Sequence, residues 1–255
     1  MVLIMAIKTR KISDWLSANG QAVTNASKAT MEDAIRADIG QLYDGVFIMF
    51  HRKSDDFPLA VRVSSWASYQ ASGEIAEGVL LVEGGRHLVI APTEASSAKW
   101  SSKPASSSDT SGSVQISGVT TTSDRITALN DFAGRANTTA IINGSTSSNV
   151  TNTEDYAAGF CNRYSRTNVN GKGMTAGKWW LPSMGEMTMI WANFDKINYA
   201  LSKISGATLL QEKWYWTSTQ ASARNAWNLG LGAGSMNGGW KFDQDRVRPV
   251  SAFLN

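Results

Sequence analysis

Cysteine and histidine are almost missing from this chain: Cys161 is the one thiol, and His51 and His87 are the two imidazoles, in 255 residues. A single thiol has no partner for an intrachain disulfide, and three such side chains scattered along the sequence assemble no zinc cluster. Charge is scarce too. Charged residues make up 18% of the chain, and 24 basic against 21 acidic residues leave a net charge of +3. That falls far short of the basic footprint that neutralises duplex phosphates, so nucleic acid is excluded as a partner. No apolar run approaches the roughly 20 residues that span a bilayer, which excludes membrane insertion. The apolar opening, Met1 to Ile7, carries its charges (Lys8, Arg10, Lys11) after it rather than before it, so no signal peptide is expected.

Tryptophan and glycine, by contrast, are plentiful. Ten tryptophans stand against six tyrosines and eight phenylalanines, and Trp179, Trp180, Trp191, Trp214, Trp216, Trp227 and Trp240 fall in the last third. Hydrophobic residues, at 42%, suffice for a globular core and exclude a disordered chain. Two glycine-rich stretches invite a phosphate-loop reading, and both fail it. Gly230-Leu-Gly232-Ala-Gly234 is followed by Ser-Met-Asn-Gly-Gly, which opens no helix. The stretch from Gly171 to Lys178 has the wrong spacing, with Trp179 where a magnesium-binding Ser or Thr is required. There is neither a G-x-S-x-G turn nor an H-E-x-x-H motif. The sequence predicts no enzyme, no catalytic residue, no metal and no cofactor.

The chain divides by texture. Thr30 to Ile39 reads as a short helix with Thr30 as N-cap, Gly40 past its end, and Ile35 and Ile39 on one face. Val46 to Phe50 and Leu59 to Val63 read as strand-like runs on either side of a turn at Asp55 to Pro58. These pieces are too small for a sizeable core, so residues 1–71 are expected to form an attachment or oligomerisation segment, with a new domain from residue 72. Val79 to Val82 and His87 to Ile90 flank Gly84 and Gly85 in a hairpin pattern, and residues 96–124, rich in Ser, Thr and Gly, read as a surface loop.

Two helices follow from apolar spacing. Near 153–164, Tyr156, Phe160 and Tyr164 share a face with Ala157 and Cys161, which makes Cys161 a core thiol. Over 183–205, Ser183 and Glu186 have capping-box spacing and lead into Met187, Ile190, Trp191 and Phe194. After Gly206 the period becomes two. Trp227, Leu229 and Leu231 point one way and Asn228, Gly230 and Gly232 the other, so one face of 225–231 is expected buried and the other wet. Val247 to Val250 closes with a proline, as an edge or terminal strand does. The expected fold class is α+β, with both helices packed on a small, mostly antiparallel sheet.

Four stretches occur in order: Trp179-Trp-Leu-Pro-Ser-Met-Gly-Glu186, Tyr215-Trp-Thr-Ser-Thr-Gln220, Ala226-Trp227 and Val247-Arg-Pro-Val-Ser-Ala-Phe253. With them, residues 72–255 resemble the C-type-lectin-fold variable proteins of diversity-generating retroelements, a family that includes phage tropism determinants. Gly78 to Glu94 and Asn130 to Thr138 are similar to members of the group as well. The resemblance implies a C-type lectin fold, small antiparallel sheets with two packed helices, and a variable region of about 215–253 in which randomised adenines change side chains on a ligand-binding face. It places the variable, ligand-binding positions at Ala221, Arg224, Asn225, Asn228, Gly230, Gly232, Ala233, Ser235, Asn237, Gly238, Gly239, Phe242, Asp243 and Asp245. Trp240 cannot be reached from an AAC codon by changing adenines and is kept as a contact residue, while Trp179, Trp191, Trp216 and Trp227 are assigned to the scaffold. The E-P-N and W-N-D signatures of calcium-dependent sugar binding are absent.

The function this implies is a diversified receptor-binding protein of a phage or prophage, carried on the virion (phage tail) or the bacterial cell surface. Its partner would be a cell-surface protein or other surface receptor of a bacterial host, and it would act as a homo-oligomer, with a trimer favoured. The alternative is a non-diversified structural adhesin or virion decoration protein of the same fold.

Overall fold

The computed structural model describes residues 44–253 except 111, 113 and 114. The helix expected at Thr30 to Ile39 lies outside the described residues. Strands and helices follow in the order β1 (Gly45–His51), β2 (Pro58–Arg62), α1 (Trp66–Ala71), β3 (Gly78–Glu83), β4 (Arg86–Ile90), β5 (Ala95–Lys99), α2 (Arg125–Leu129), α3 (Gly134–Asn143), α4 (Ala157–Arg163), β6 (Arg166–Thr167), β7 (Gly173–Met174), α5 (Met184–Ala192), α6 (Phe194–Leu201), β8 (Trp214–Gln220), β9 (Asn225–Gly230), β10 (Ser235–Trp240), β11 (Gln244–Val247) and β12 (Val250–Ser251). The architecture is α+β.

The first sheet, in the order β12-β4-β3-β1-β2, is antiparallel throughout. Its central strands, GVFIMFH and GVLLVE, are near-continuous apolar runs, as strands covered on both faces must be. Gly84 and Gly85, at φ 54° and 77°, supply the two positive φ angles of a tight turn, and the expected hairpin forms with Glu83 opposite Arg86. The second sheet, in the order β10-β9-β8-β11-β5, is antiparallel except where β11 runs parallel to β8.

The division expected at residue 72 falls inside the first sheet. β1 pairs with β3 over Gly45 to Met49 and with β2, so β1 and β2 are part of the first sheet, in one compact unit with the strands that follow, and not a separate attachment segment. Trp66 of α1 packs its ring 5.4 Å from Phe50, and Gln70 ties α1 to Ser205 by accepting from its N–H at 2.9 Å.

Two cores result. One lies between the first sheet, α5, α6 and one face of the second sheet, where Tyr215, Trp227, Leu229 and Leu231 point; the other joins α3, α4, Trp100 and Ile116 to the opposite face, where Trp216 and Ala226 point. Residues 96–124 are therefore not simply a surface loop: they supply most of β5, together with Trp100 and Ile116, because Trp100 Nε1 finds the Thr217 carbonyl at 2.9 Å and Trp216 Nε1 finds that of Ala98 at 2.9 Å.

Both expected helices are modified. α4 begins only at Ala157, since Tyr156 bridges to Lys99, and it buries its small face (Ala157, Ala158 and Cys161) while Phe160 and Tyr164 stay half-exposed. Burial pushes the Cys161 thiol well above its ordinary value, in keeping with a core thiol. The 183–205 stripe splits into α5 and α6 at Asn193, whose amide donates to Met189 O at 3.1 Å and to Glu83 Oε2 at 3.2 Å. The break turns Trp191 out of the core to 39% exposure, which corrects its scaffold assignment.

Candidate functional site

The positions singled out from the sequence lie on one continuous run: the β8–β9 turn, β9, the β9–β10 turn, β10, the β10–β11 turn and the start of β11. The sheet edge at β10 carries five of them, Ser235, Asn237, Gly238, Gly239 and Trp240, and the environments of the whole set divide sharply.

One group forms a ledge. The Arg224 guanidinium sits 4.7 Å over the Trp240 ring, and Trp240 stacks on Phe242 at 5.8 Å with 22° between planes. Arg224 Nη2 is held by the carbonyls of Ser107 (2.6 Å) and Asp109 (3.2 Å), and the Asp243 carboxylate accepts from Trp240 N–H at 3.1 Å. Asn225 donates to the Gly238 carbonyl at 3.0 Å, which ties the hairpin beneath. All of these side chains are half-exposed, and Ser235 and Asn237 beside them are exposed. Cation, stacked rings and carboxylate, held in place by backbone contacts, make a rigid, amphipathic surface of the kind that anchors a macromolecular partner.

A second group flanks the β9–β10 turn. Gly232 and Ala233 are exposed, and Gly230 packs under the exposed Trp214 ring. At Gly234, with φ 67°, any side chain would run into Trp191, so Trp191 is the cover of this turn.

The third group is not a surface at all. Asn228 is 4% exposed, and its amide donates to Asp245 Oδ2 at 2.6 Å. Gly239 is buried, and a Cβ there would stand 2.7 Å from Asn228 Nδ2 and 2.9 Å from Trp216 Cη2. The expected wet face of β9 is dry at this point because Trp216, from the neighbouring strand, covers it. Burial raises the Asp245 carboxyl above its ordinary value, Asp243 adds to the rise, and the Asn228 hydrogen bond opposes it. Asn228, Gly239 and Asp245 form an interlocked set and are withdrawn from the contact surface. Ala221 is half-buried against the first core.

Several residues that organise this face were not singled out from the sequence. Lys241 is 1% exposed; its ammonium donates to Gln220 Oε1 at 2.6 Å and to the Ala223 carbonyl at 3.0 Å, and lies 4.5 Å from the Trp100 ring. Burial pushes its pKa down to about 7. Behind the sheet, Glu94 receives Arg246 at 2.6 Å, Arg248 at 2.8 Å and the Tyr215 hydroxyl at 2.8 Å, while burial and the Glu94 charge push the tyrosine upward. The signal for Lys241 was its place one residue past Trp240 in a two-residue period; for Arg248 it was an arginine inside the apolar closing run.

No family model matches the sequence, and no curated protein matches it. The fold does have a solved likeness. It is similar to a fimbrial protein from Bacteroides ovatus, with a TM-score of 0.50 and 16% identity, over 83% of this chain and 49% of that one. The chain thus spans about half the length of that protein, and at this identity the likeness speaks for the fold alone.

Among the described residues no group of three or more His, Cys, Asp or Glu side chains is placed to hold a metal ion, and no helix is long and apolar enough to cross a membrane.

Proposed function

We propose that this chain is an adhesin-like surface-binding protein whose contact surface is the Arg224–Trp240–Phe242 ledge together with the glycine turn of the β9–β10 hairpin. The ledge carries the reading: a stacked, half-exposed aromatic pair under an arginine fixed by two backbone carbonyls is pre-ordered for contact and has little other use on a sheet edge. A protein or other receptor on a bacterial cell surface is the partner. The fold likeness to a fimbrial protein supports a place on a cell-surface appendage.

The finer reading, a C-type-lectin-fold variable protein of a retroelement on a phage tail or cell surface, rests on the four motifs from Trp179 to Phe253. Within it, the positions free to vary are those of the ledge and turn, since Asn228, Gly239 and Asp245 are locked. That lock favours the second reading, a non-diversified structural adhesin, to the extent that it shrinks the variable set. The adjoining DNA separates the two. A near-copy of the coding repeat for residues 215–253, differing only at adenines and accompanied by a reverse transcriptase gene, supports the first reading, and its absence leaves the second.

The surface reading itself is tested by cytometry of labelled protein on a panel of bacterial cells. Trp240→Ala and Arg224→Ala should lose binding while keeping the melting temperature, and retention of binding by both variants refutes the ledge. One shallow ledge binds weakly, so a homo-oligomer, with three copies favoured, gains the avidity a single copy lacks. Light scattering that finds a monomer refutes that part.

A further inference from the structure

The ledge takes its hold from a distant part of the chain. Arg224 Nη2 donates to the carbonyls of Ser107 and Asp109, which lie 117 and 115 positions before it. Its Nε is sealed in and has no partner, so these two carbonyls are what orients the guanidinium over the Trp240 ring. Both come from a run, Ser106-Ser-Ser-Asp109, whose serines are all exposed. An exposed serine run is pliable, and its carbonyls face Arg224 only if something fixes the shape of the run.

The root of the run is tied to the ledge. Trp100 N–H and Ser101 N–H both donate to the Lys241 carbonyl, at 3.0 and 3.1 Å, and Lys241 N–H donates to the Arg224 carbonyl at 3.1 Å. The tip is tied to itself. Asp109 N–H donates to the Ser106 carbonyl at 3.1 Å, and the Asp109 carboxylate accepts from Ala105 N–H at 2.8 Å and from Lys103 Nζ at 3.3 Å. These bonds fold residues 103–109 back on themselves. Gly112 closes the arrangement: a Cβ there would stand 2.9 Å from Asp109 Oδ2 and 2.9 Å from Pro104 Cα, so a side chain would displace the carboxylate or the turn it holds.

Asp109 is thus an acid on an exposed loop with its side chain turned inward, 12% exposed. Its ion pair with the more open Lys103 adds little stability of its own. What the carboxylate does is set a backbone shape, and that shape presents two carbonyls to one arginine.

We propose that Asp109 is a positioning residue for the contact surface: by holding residues 103–109 in shape it keeps Arg224 over Trp240. The proposal rests on the ledge as the contact surface and assigns Asp109 no receptor contact.

Heteronuclear NMR of the full chain tests the positioning without any ligand. The probe is the indole N–H signal of Trp240, identified by its loss in Trp240→Phe. Asp109→Ala should shift that signal in the direction set by Arg224→Ala, and adding Asp109→Ala to Arg224→Ala should move it no further. Asp109→Asn keeps an acceptor for Ala105 N–H and should restore the parent signal. Gly112→Ala, which presses on the same carboxylate from the other side, should shift it as Asp109→Ala does. Cytometry on the bacterial cells that the labelled parent binds tests the consequence: Asp109→Ala should weaken binding about tenfold at an unchanged melting temperature, and Asp109→Asn should restore it. A Trp240 signal unmoved by Asp109→Ala, a further shift in the double variant, or undiminished cell binding by Asp109→Ala overturns the proposal. Failure of Asp109→Asn to restore the signal also overturns it, since charge and not shape is then what acts. If Arg224→Ala and Trp240→Ala both keep cell binding, the ledge reading is what fails, and the indole signal still decides whether Asp109 positions Arg224.

Discussion

Gly238 and Gly239 are neighbours on β10 with opposite surroundings, and alanine at each reads the division of the hairpin directly. Neither needs a positive φ, so both substitutions gain the same term from a less flexible unfolded chain, about 0.4–1 kcal/mol. They differ in what the new methyl meets. At position 238 its nearest neighbour is the Ala221 Cβ at 3.5 Å, an ordinary contact. At position 239 it meets Asn228 Nδ2 at 2.7 Å and Trp216 Cη2 at 2.9 Å, two groups fixed by burial. Forcing a methyl into a packed core costs about 1–3 kcal/mol. The shared entropy term cancels in the difference, which leaves that overpacking cost. At about 3 °C per kcal/mol for a unit of this size, Gly239→Ala should melt roughly 3–9 °C below Gly238→Ala, with Gly238→Ala at or slightly above the parent. Scanning calorimetry of the three proteins side by side measures it. Equal melting temperatures, or a lower one for Gly238→Ala, refute the assignment of Gly239 to the interlocked set.

Trp227→Ala should cost about 3–5 kcal/mol in denaturant unfolding, because the indole is buried in the first core and its Nε1 donates to the Thr122 carbonyl at 2.8 Å. Asn228→Ala should cost about 1–3 kcal/mol, since it strips the Asp245 carboxyl of its amide partner inside the sheet; a variant as stable as the parent would return Asn228 to the surface set. Lys241 sets a pH dependence: its pKa is about 7 folded against 10.5 for the free group, so the unfolded chain holds the extra proton between those values. Its contribution to stability is full above 10.5 and is lost as pH falls towards 7, and Lys241→Met should flatten that slope in melts taken from pH 7 to pH 10. An unchanged slope would show that Lys241 is not the group responsible.

The parts of the fold legible in the sequence are those fixed by neighbours in the chain. The Gly84–Gly85 hairpin is one, since two adjacent glycines between apolar runs specify both turn and register. The burial of Trp227, Leu229 and Leu231 is another, since alternation names the face a strand turns to the core. Alternation says nothing of the other face. Asn228 reads as wet because its cover, Trp216, lies on another strand and is itself fixed by the Ala98 carbonyl, 118 positions away. The same distance hides the role of residues 96–124, whose Ser- and Thr-rich composition masks Trp100 and Ile116. Trp191 fails for a local reason instead: the apolar spacing continues through Asn193, but an asparagine whose amide bonds the preceding turn ends one helix and starts the next. For the ledge, the sequence names Trp240 and Phe242 together with the locked positions, and only the rings' mutual stacking separates them.

The last strand returns to the sheet in which the described chain begins: Val250 and Ser251 pair with Ile90 and Val89. The ribosome therefore delivers the closing piece of the first sheet only after residues 221–245 have been made. A premature stop or frameshift anywhere in that stretch leaves β4 with a bare edge and Glu94 without Arg246 and Arg248, so the product fails to close rather than folding with a damaged face. Every molecule that completes its fold has thereby carried an intact reading frame through β9, β10 and the turns beside them.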